Sequence, residues 1–103
     1  MSLPGLDPLI HAPVRLQICA ILAAADEAEF ALVREETGVS ESVLSKQVKL
    51  LEEAGYVAVR KATLASRQRT WLALTRAGRT AFAAHMQALT RLAATAASRV
   101  AAE

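Results

Sequence analysis

The chain has 103 residues, a single cysteine, a formal net charge of +2 and a hydrophobic fraction of 53% with only 4% aromatics. That length suits one domain with a modest core, and the alanine and leucine bias favours helices. A lone cysteine excludes an internal disulfide and fits a cytoplasmic setting; no apolar run approaches the ~20 residues of a membrane span, and the opening MSLPGLDPLIHAP lacks the basic end and long apolar stretch of a signal peptide.

Asp7-Pro8 has the form of an N-cap followed by proline at the first helical position. It predicts a short turn near 7–11. Pro13 opens a second helix, from about 13 to 25, with Val14, Ile18, Ile21 and Leu22 as its apolar stripe. Asp26-Glu27-Ala28 is a polar break. Phe30 to Thr37 forms a further short helix with Leu32 and Val33 inward, and Gly38 stops it. Ser40 caps the next helix, with Glu41 placed against the positive end of its dipole, and Gly55 closes it. Gly38-Val39-Ser40 therefore joins two helices by a tight turn, the geometry of a helix-turn-helix.

The period then changes. Val57 and Val59 alternate with their neighbours over 56–61, and Trp71 with Ala73 and Leu72 with Leu74 do so over 69–75. Ala62 to Gln68 is left to turn the chain back, which predicts an antiparallel hairpin with a longish loop. Thr75 caps a last helix of about 25 residues, roughly 37 Å long at ~1.5 Å per residue. The expected fold is mainly α with a small β wing: a winged helix-turn-helix with a long C-terminal dimerisation helix. It forms a single domain over 1–103, with its core at about 7–80 and the last helix at about 76–100.

Charge divides along the chain. Over residues 1–41, Arg15 and Arg34 stand against seven acids, a balance of −5. Over residues 42–80, eight bases stand against Glu52 and Glu53, a balance of +6. A basic half suggests a polyanion as partner, with an ordinary solvated surface as the alternative.

At about 100° per residue, Ser42, Ser45, Lys46 and Lys49 share one face of the helix that follows Ser40, opposite Leu44, Val48 and Leu51. One reading is a solvated face whose lysines meet Glu53. The other is a recognition helix in a DNA major groove. There lysine reaches guanine acceptors or phosphate oxygens, and serine contacts bases or phosphates at close range. Gln47 faces half inward and serves either an adenine contact or packing. The wing favours the second reading. Arg60, Lys61, Arg67 and Arg69 surround one hairpin, and no Asp or Glu occurs from residue 54 to 102. Such a one-sign cluster fits phosphate or minor-groove contact, while cations guarding an exposed sheet edge are the bland alternative.

In the last helix Phe82, Met86, Leu89, Ala93, Ala96 and Val100 are spaced 4, 3, 4, 3, 4, an a/d heptad stripe. Its distal half would expose an apolar seam unless something covers it. A homodimer would cover it and would set two recognition helices about 34 Å apart for a palindromic site. Folding back on the first helix is the alternative.

VLSKQVKLLEEAGYVAVRK followed by RTWLALTRAGRTAF resembles the winged helix-turn-helix regulators of bacteria and archaea, closest to the short MarR-like group without a separate effector domain. LIHAPVRLQICAIL also resembles the first helix of that group, so the likeness covers roughly residues 7–90. It implies a homodimeric transcription factor binding double-stranded DNA. Its recognition positions carry over onto Ser42, Ser45, Lys46, Gln47 and Lys49, and its wing positions onto Lys61, Arg67 and Arg69. Two departures stand out. The wing loop ATLASRQ lacks the glycine such wings often contain, and Gln47 stands where relatives often carry histidine.

Nothing in the sequence points to catalysis. His11 and His85 lie far apart, and with one cysteine no zinc spacing arises. No phosphate loop, nucleophile elbow or paired carboxylates are present. No metal, cofactor or membrane is expected; a small-molecule effector is unassigned. Cys19 lies in an apolar helix as a small hydrophobe, with redox sensing as the alternative. The competing function is a winged-helix protein-interaction module without DNA binding.

Overall fold

Local capping chemistry sets most element ends. The computed structural model describes residues 3–102, with side chains through Val100. Asp7 caps α1 (Pro8–His11), its Oδ1 accepting from the backbone N–H of Leu9 and Ile10 at 2.9 and 3.5 Å. Proline at the first helical position opens α2 (Pro13–Ala23). α3 (Phe30–Thr37) ends at Gly38, whose φ of 73° is left-handed and whose N–H returns to the Arg34 carbonyl. The Ser40 hydroxyl accepts from Val43 N–H at 3.2 Å and starts α4 (Glu41–Glu53). Thr75 accepts from Gly78 N–H at 3.0 Å at the head of α5 (Arg76–Ala102).

The core lies between α2, α3, α4 and the sheet. Ile18, Cys19 and Leu22 meet Val33, Leu44, Val48 and Leu51, with Val57, Leu72 and Leu74 beneath them. These residues come from elements up to 56 positions apart, so the helix-turn-helix and the wing share one apolar centre. Leu44, Val48 and Leu51 are buried as their spacing predicts, which fixes the roll of α4 and turns Ser42, Ser45, Lys46 and Lys49 outward.

Three expectations are corrected. The break at residues 26–28 contains the start of a strand: β1 (Ala28–Glu29) pairs antiparallel with β3 (Arg67–Leu74) through Ala28–Leu72 and Glu29–Trp71. β2 (Val57–Leu64) pairs on the other edge of β3, so the sheet has three strands in the order β1-β3-β2. Leu32 faces solvent at 46% exposure, because Val33 takes the inward position on α3 with Phe30 packed beside the core.

The hairpin loop is not long. β2 and β3 run on to Leu64 and Arg67, leaving only Ala65 and Ser66 with φ of 52° and 65°. Two positive φ values mark a type I′ turn, whose twist matches the strands but which favours Asn-Gly. Alanine in the left-handed region costs about 1–2 kcal/mol. The double substitution Ala65→Asn with Ser66→Gly is therefore expected to raise stability by about 1 kcal/mol, or roughly 5 °C in Tm. Thermal denaturation checks this, and an unchanged or lower midpoint would refute the turn assignment.

Candidate nucleic-acid interface

The short Gly38-to-Ser40 connection holds α4 across the sheet, and its outer face looks along the wing. Ser42, Ser45, Lys46 and Lys49 are all exposed. Across from them, β2 presents Lys61. Ser45, Lys49, Lys61 and Thr70 line one cleft of about 650 Å³, floored by Phe30, Val48, Val59 and Leu72, with Glu41 and Glu52 on its walls. Arg67 stands exposed beside the turn, next to a second cleft of about 420 Å³. Among the described residues, Lys46, Lys49, Lys61 and Arg67 make no ion pair. The contact of Lys46 or Lys49 with Glu53, part of the solvated-face alternative, is not among the ion pairs of the described residues.

The four wing cations are not equivalent. Arg60 donates to Glu27 at 2.7 Å and lies 5.6 Å from the centroid of the Trp71 ring. Arg69 donates from Nη1 to both oxygens of Glu29, at 3.0 and 3.1 Å. Two carboxylates of the acidic half thus neutralise two cations of the basic half. The charge available to a polyanion is concentrated on α4, Lys61 and Arg67. The Arg60–Glu27 pair is solvated and contributes little to stability, while the Arg69–Glu29 pair is partly buried. β1 creates this pairing, since it lays Glu29 beside Trp71 and brings Glu27 within reach of Arg60.

Gln47 is half-buried and tied inward: its Oε1 accepts from Arg15 Nη1 at 2.6 Å, while Arg15 Nε donates to the Leu9 carbonyl at 2.6 Å. Nothing in the sequence separates this arginine from an ordinary helix-surface residue, since the partner lies 32 positions away.

Behind the interface, the two histidines meet. His85 of α5 is fully buried. Its Nδ1 accepts from the Asp7 backbone N–H at 3.0 Å, and its Nε2 lies 3.2 Å from His11 Nδ1. Because Nδ1 accepts, the proton must sit on Nε2 and be donated to His11. The Tyr56 hydroxyl donates to Asp7 Oδ2 at 2.6 Å, and that bond raises the tyrosine pKa above its usual value. Burial lowers the His85 pKa, and the neighbouring His11 lowers it further. Cys19 is also fully buried, and burial pushes its thiol up to about 11. A protonated, inaccessible thiol is a poor nucleophile, so Cys19 behaves as the small hydrophobe its sequence context suggests. Among the described residues no group of three or more acidic, histidine or cysteine side chains is arranged to hold a metal.

α5 presents a different stripe to the head from the one its heptad spacing suggests. Ala81 packs on the core, and His85 and Ala88 are buried. Phe82 also packs against the core and Leu89 is half-buried, whereas Met86 is 41% and Val100 72% exposed, and Ala93 and Ala96 face solvent. Leu92, outside the expected stripe, is 50% exposed. Every residue from 91 to 100 is exposed, so the distal helix projects beyond the head.

A helix-turn-helix, a three-stranded wing and a cationic outer helix face define a winged-helix nucleic-acid-binding protein. The chain belongs to the winged helix DNA-binding domain family, which it matches over residues 14–93. It is 31% identical over 74 residues to an uncharacterised protein of Methanocaldococcus jannaschii, covering 72% of this chain and 80% of that one. Among solved structures it is similar to a transcriptional regulator homologue from Pyrococcus horikoshii, with a TM-score of 0.79 and 24% identity over 84% of this chain and 86% of the other. A MarR-family regulator from Enterococcus faecalis shares the fold with a TM-score of 0.75 and 18% identity, over 92% and 84% of the two chains. No helix among the described residues is long and apolar enough to cross a membrane.

Proposed function

We propose that this chain is a sequence-specific regulator of transcription in the cytoplasm that binds double-stranded DNA as a homodimer. α4 enters the major groove and the wing meets the backbone or minor groove. The observation carrying this reading is the exposed face of Ser42, Ser45, Lys46 and Lys49, continued across a cleft by Lys61 and flanked by Arg67. Small residues early in α4 let its backbone approach base edges, and the lysines reach base acceptors or phosphates. Arg60 and Arg69 contribute less, because Glu27 and Glu29 already hold them. The seam of exposed Met86, Ala93, Ala96 and Val100 with half-buried Leu89, extended by Leu92, supplies the dimer contact, with Phe82 bracing it from the core side.

Binding to random duplex DNA across a salt series tests the reading. Electrostatic contact requires a steep fall in affinity as salt rises. Arg67→Ala is expected to weaken all duplexes alike and to reduce the log–log salt slope by about 1, while Lys46→Ala is expected also to change sequence preference. Neutralisation of two wing cations also suits a protein-interaction module, and absence of binding at low salt would favour that alternative. Sedimentation at micromolar concentration tests the dimer, and a monomer throughout would remove it.

A further inference from the structure

Glu29 holds one arginine of the wing, and the geometry of that hold bears on how tightly the wing can grip DNA. We propose that Glu29 is a built-in competitor of DNA: its carboxylate occupies on Arg69 the place that a backbone phosphate would take, and so limits the affinity of the wing for any duplex. This rests on the DNA-binding reading above.

Side chains two apart on a strand share a face. Arg67 and Arg69 are therefore neighbours on β3, about 7 Å apart along it. Arg67 stands opposite Leu64 beside the turn, and Arg69 opposite Ala62. Both line the cleft of about 420 Å³ beside the wing, together with Gln68, Thr70 and Glu29. Arg67 is exposed and makes no ion pair among the described residues. Arg69 differs because β1, paired with β3 through Glu29 and Trp71, brings the Glu29 carboxylate against it.

That pair is exchangeable. Both Glu29 oxygens accept from one nitrogen, Nη1, at 3.0 and 3.1 Å, while Nε is buried with no hydrogen-bond partner. This is not the two-nitrogen fork that makes an arginine–carboxylate pair strong. The Arg69 side chain keeps 35% of its exposure and that of Glu29 25%, so solvent still reaches the pair. A phosphate offers a guanidinium the same kind of partner, charged oxygens that accept its hydrogen bonds. Carboxylate and phosphate repel each other and need the same donors, so one displaces the other. An arginine that stays with Glu29 neutralises no phosphate and adds nothing to the salt dependence of binding. Because Glu29 is part of the same chain, it competes at a fixed effective concentration, whatever the protein concentration.

The test is binding of the full chain to random duplex DNA across a salt series. Glu29→Gln is expected to tighten binding roughly tenfold at about 0.1 M salt and to steepen the log–log slope by about 1, as one added phosphate contact requires. A pair that only fastens β1 to β3 predicts the opposite, since its loss would loosen the wing. With Arg69→Gln already present, Glu29→Gln is expected to leave the slope unmoved, because no arginine remains to be released. The double variant should therefore match the wild type in slope. Thermal melts of each variant accompany the titrations. If Glu29→Gln alone unfolds, the double variant carries the test, and a slope about 1 shallower than wild type would show that Arg69 already meets DNA and refute the competition. An unchanged or weaker affinity in folded Glu29→Gln, or the same gain of slope in both backgrounds, overturns the inference while leaving DNA binding intact. Absence of binding by the wild type and Glu29→Gln alike at low salt sinks the DNA-binding reading and this inference with it.

Discussion

Gly78→Ala is expected to destabilise the protein by about 3 kcal/mol, lowering Tm by roughly 15 °C. A Cβ on Gly78 would stand 2.1 Å from the Tyr56 carbonyl oxygen and 3.1 Å from Leu74 Cδ2. The leucine could yield, but the carbonyl is held. It accepts from Thr75 N–H at 3.0 Å, and Tyr56 N–H donates to the Leu51 carbonyl at 2.9 Å. Thr75 closes the junction by donating its hydroxyl to the Gly55 carbonyl at 2.6 Å. The first turn of α5 is thereby bound to the turn that ends α4. Propensity alone argues the other way, because alanine within a helix is favoured over glycine by about 1 kcal/mol. The two effects have opposite signs, so a calorimetric or urea melt decides between them. A variant as stable as the wild type would show that the α4–α5 junction is looser than described. Because α4 carries the cationic face and α5 the exposed seam, this junction also sets the angle between the proposed DNA-binding and dimer surfaces.

The glycine of LTRAGR was visible as part of a family signature, but its reason was not, since the carbonyl it accommodates lies 22 residues earlier. The same division holds elsewhere. Helix ends were legible where the signal is local: Asp7, Gly38, Ser40 and Thr75 act within four residues of themselves. β1 left no trace, because two residues carry no periodicity and the strand exists only through pairing with β3. The hairpin turn was hidden by its residues, since Ala65-Ser66 lacks the Asn-Gly chemistry that announces a type I′ turn. On α4 the buried and exposed faces followed from period, because Leu44, Val48 and Leu51 leave one solution. On the wing the charge count was correct and its meaning changed. Glu27 and Glu29 precede their arginines by 33 and 40 residues, and no one-dimensional pattern pairs them. On α5 a stripe chosen by apolarity passes over His85, although that histidine is fully buried.

Stability is expected to fall as pH drops below about 6.5, with His85 as a principal cause. In the fold His85 is neutral, because its Nδ1 must accept from Asp7 N–H. Protonation would place two N–H groups against each other. The Asp7 carboxylate offsets part of the new charge, but it is held capping α1 and accepting from Tyr56, and burial outweighs it. His11 faces the other nitrogen and would bring further positive charge if it too were protonated. Asp7 and His11 are the charged neighbours that act on His85, and Asp7 carries the only negative charge between them. The folded-state pKa of His85 is therefore lowered, so the unfolded chain binds the proton first. By linkage, the stability due to neutral His85 is complete above the unfolded value near 6.5 and declines below it, by up to about 1.4 kcal/mol per pH unit until the folded group also titrates. Urea denaturation between pH 8 and pH 5 measures this decline. His85→Leu is expected to cost about 3 kcal/mol at pH 8, since it leaves the Asp7 N–H without its acceptor beside a buried apolar side chain, and to flatten the slope between pH 7 and pH 5. A slope unchanged in that variant would assign the acid sensitivity to other groups. The site lies where α1, the turn after α4 and α5 converge, so protonation of His85 loosens the joint that fastens α5 to the winged-helix head.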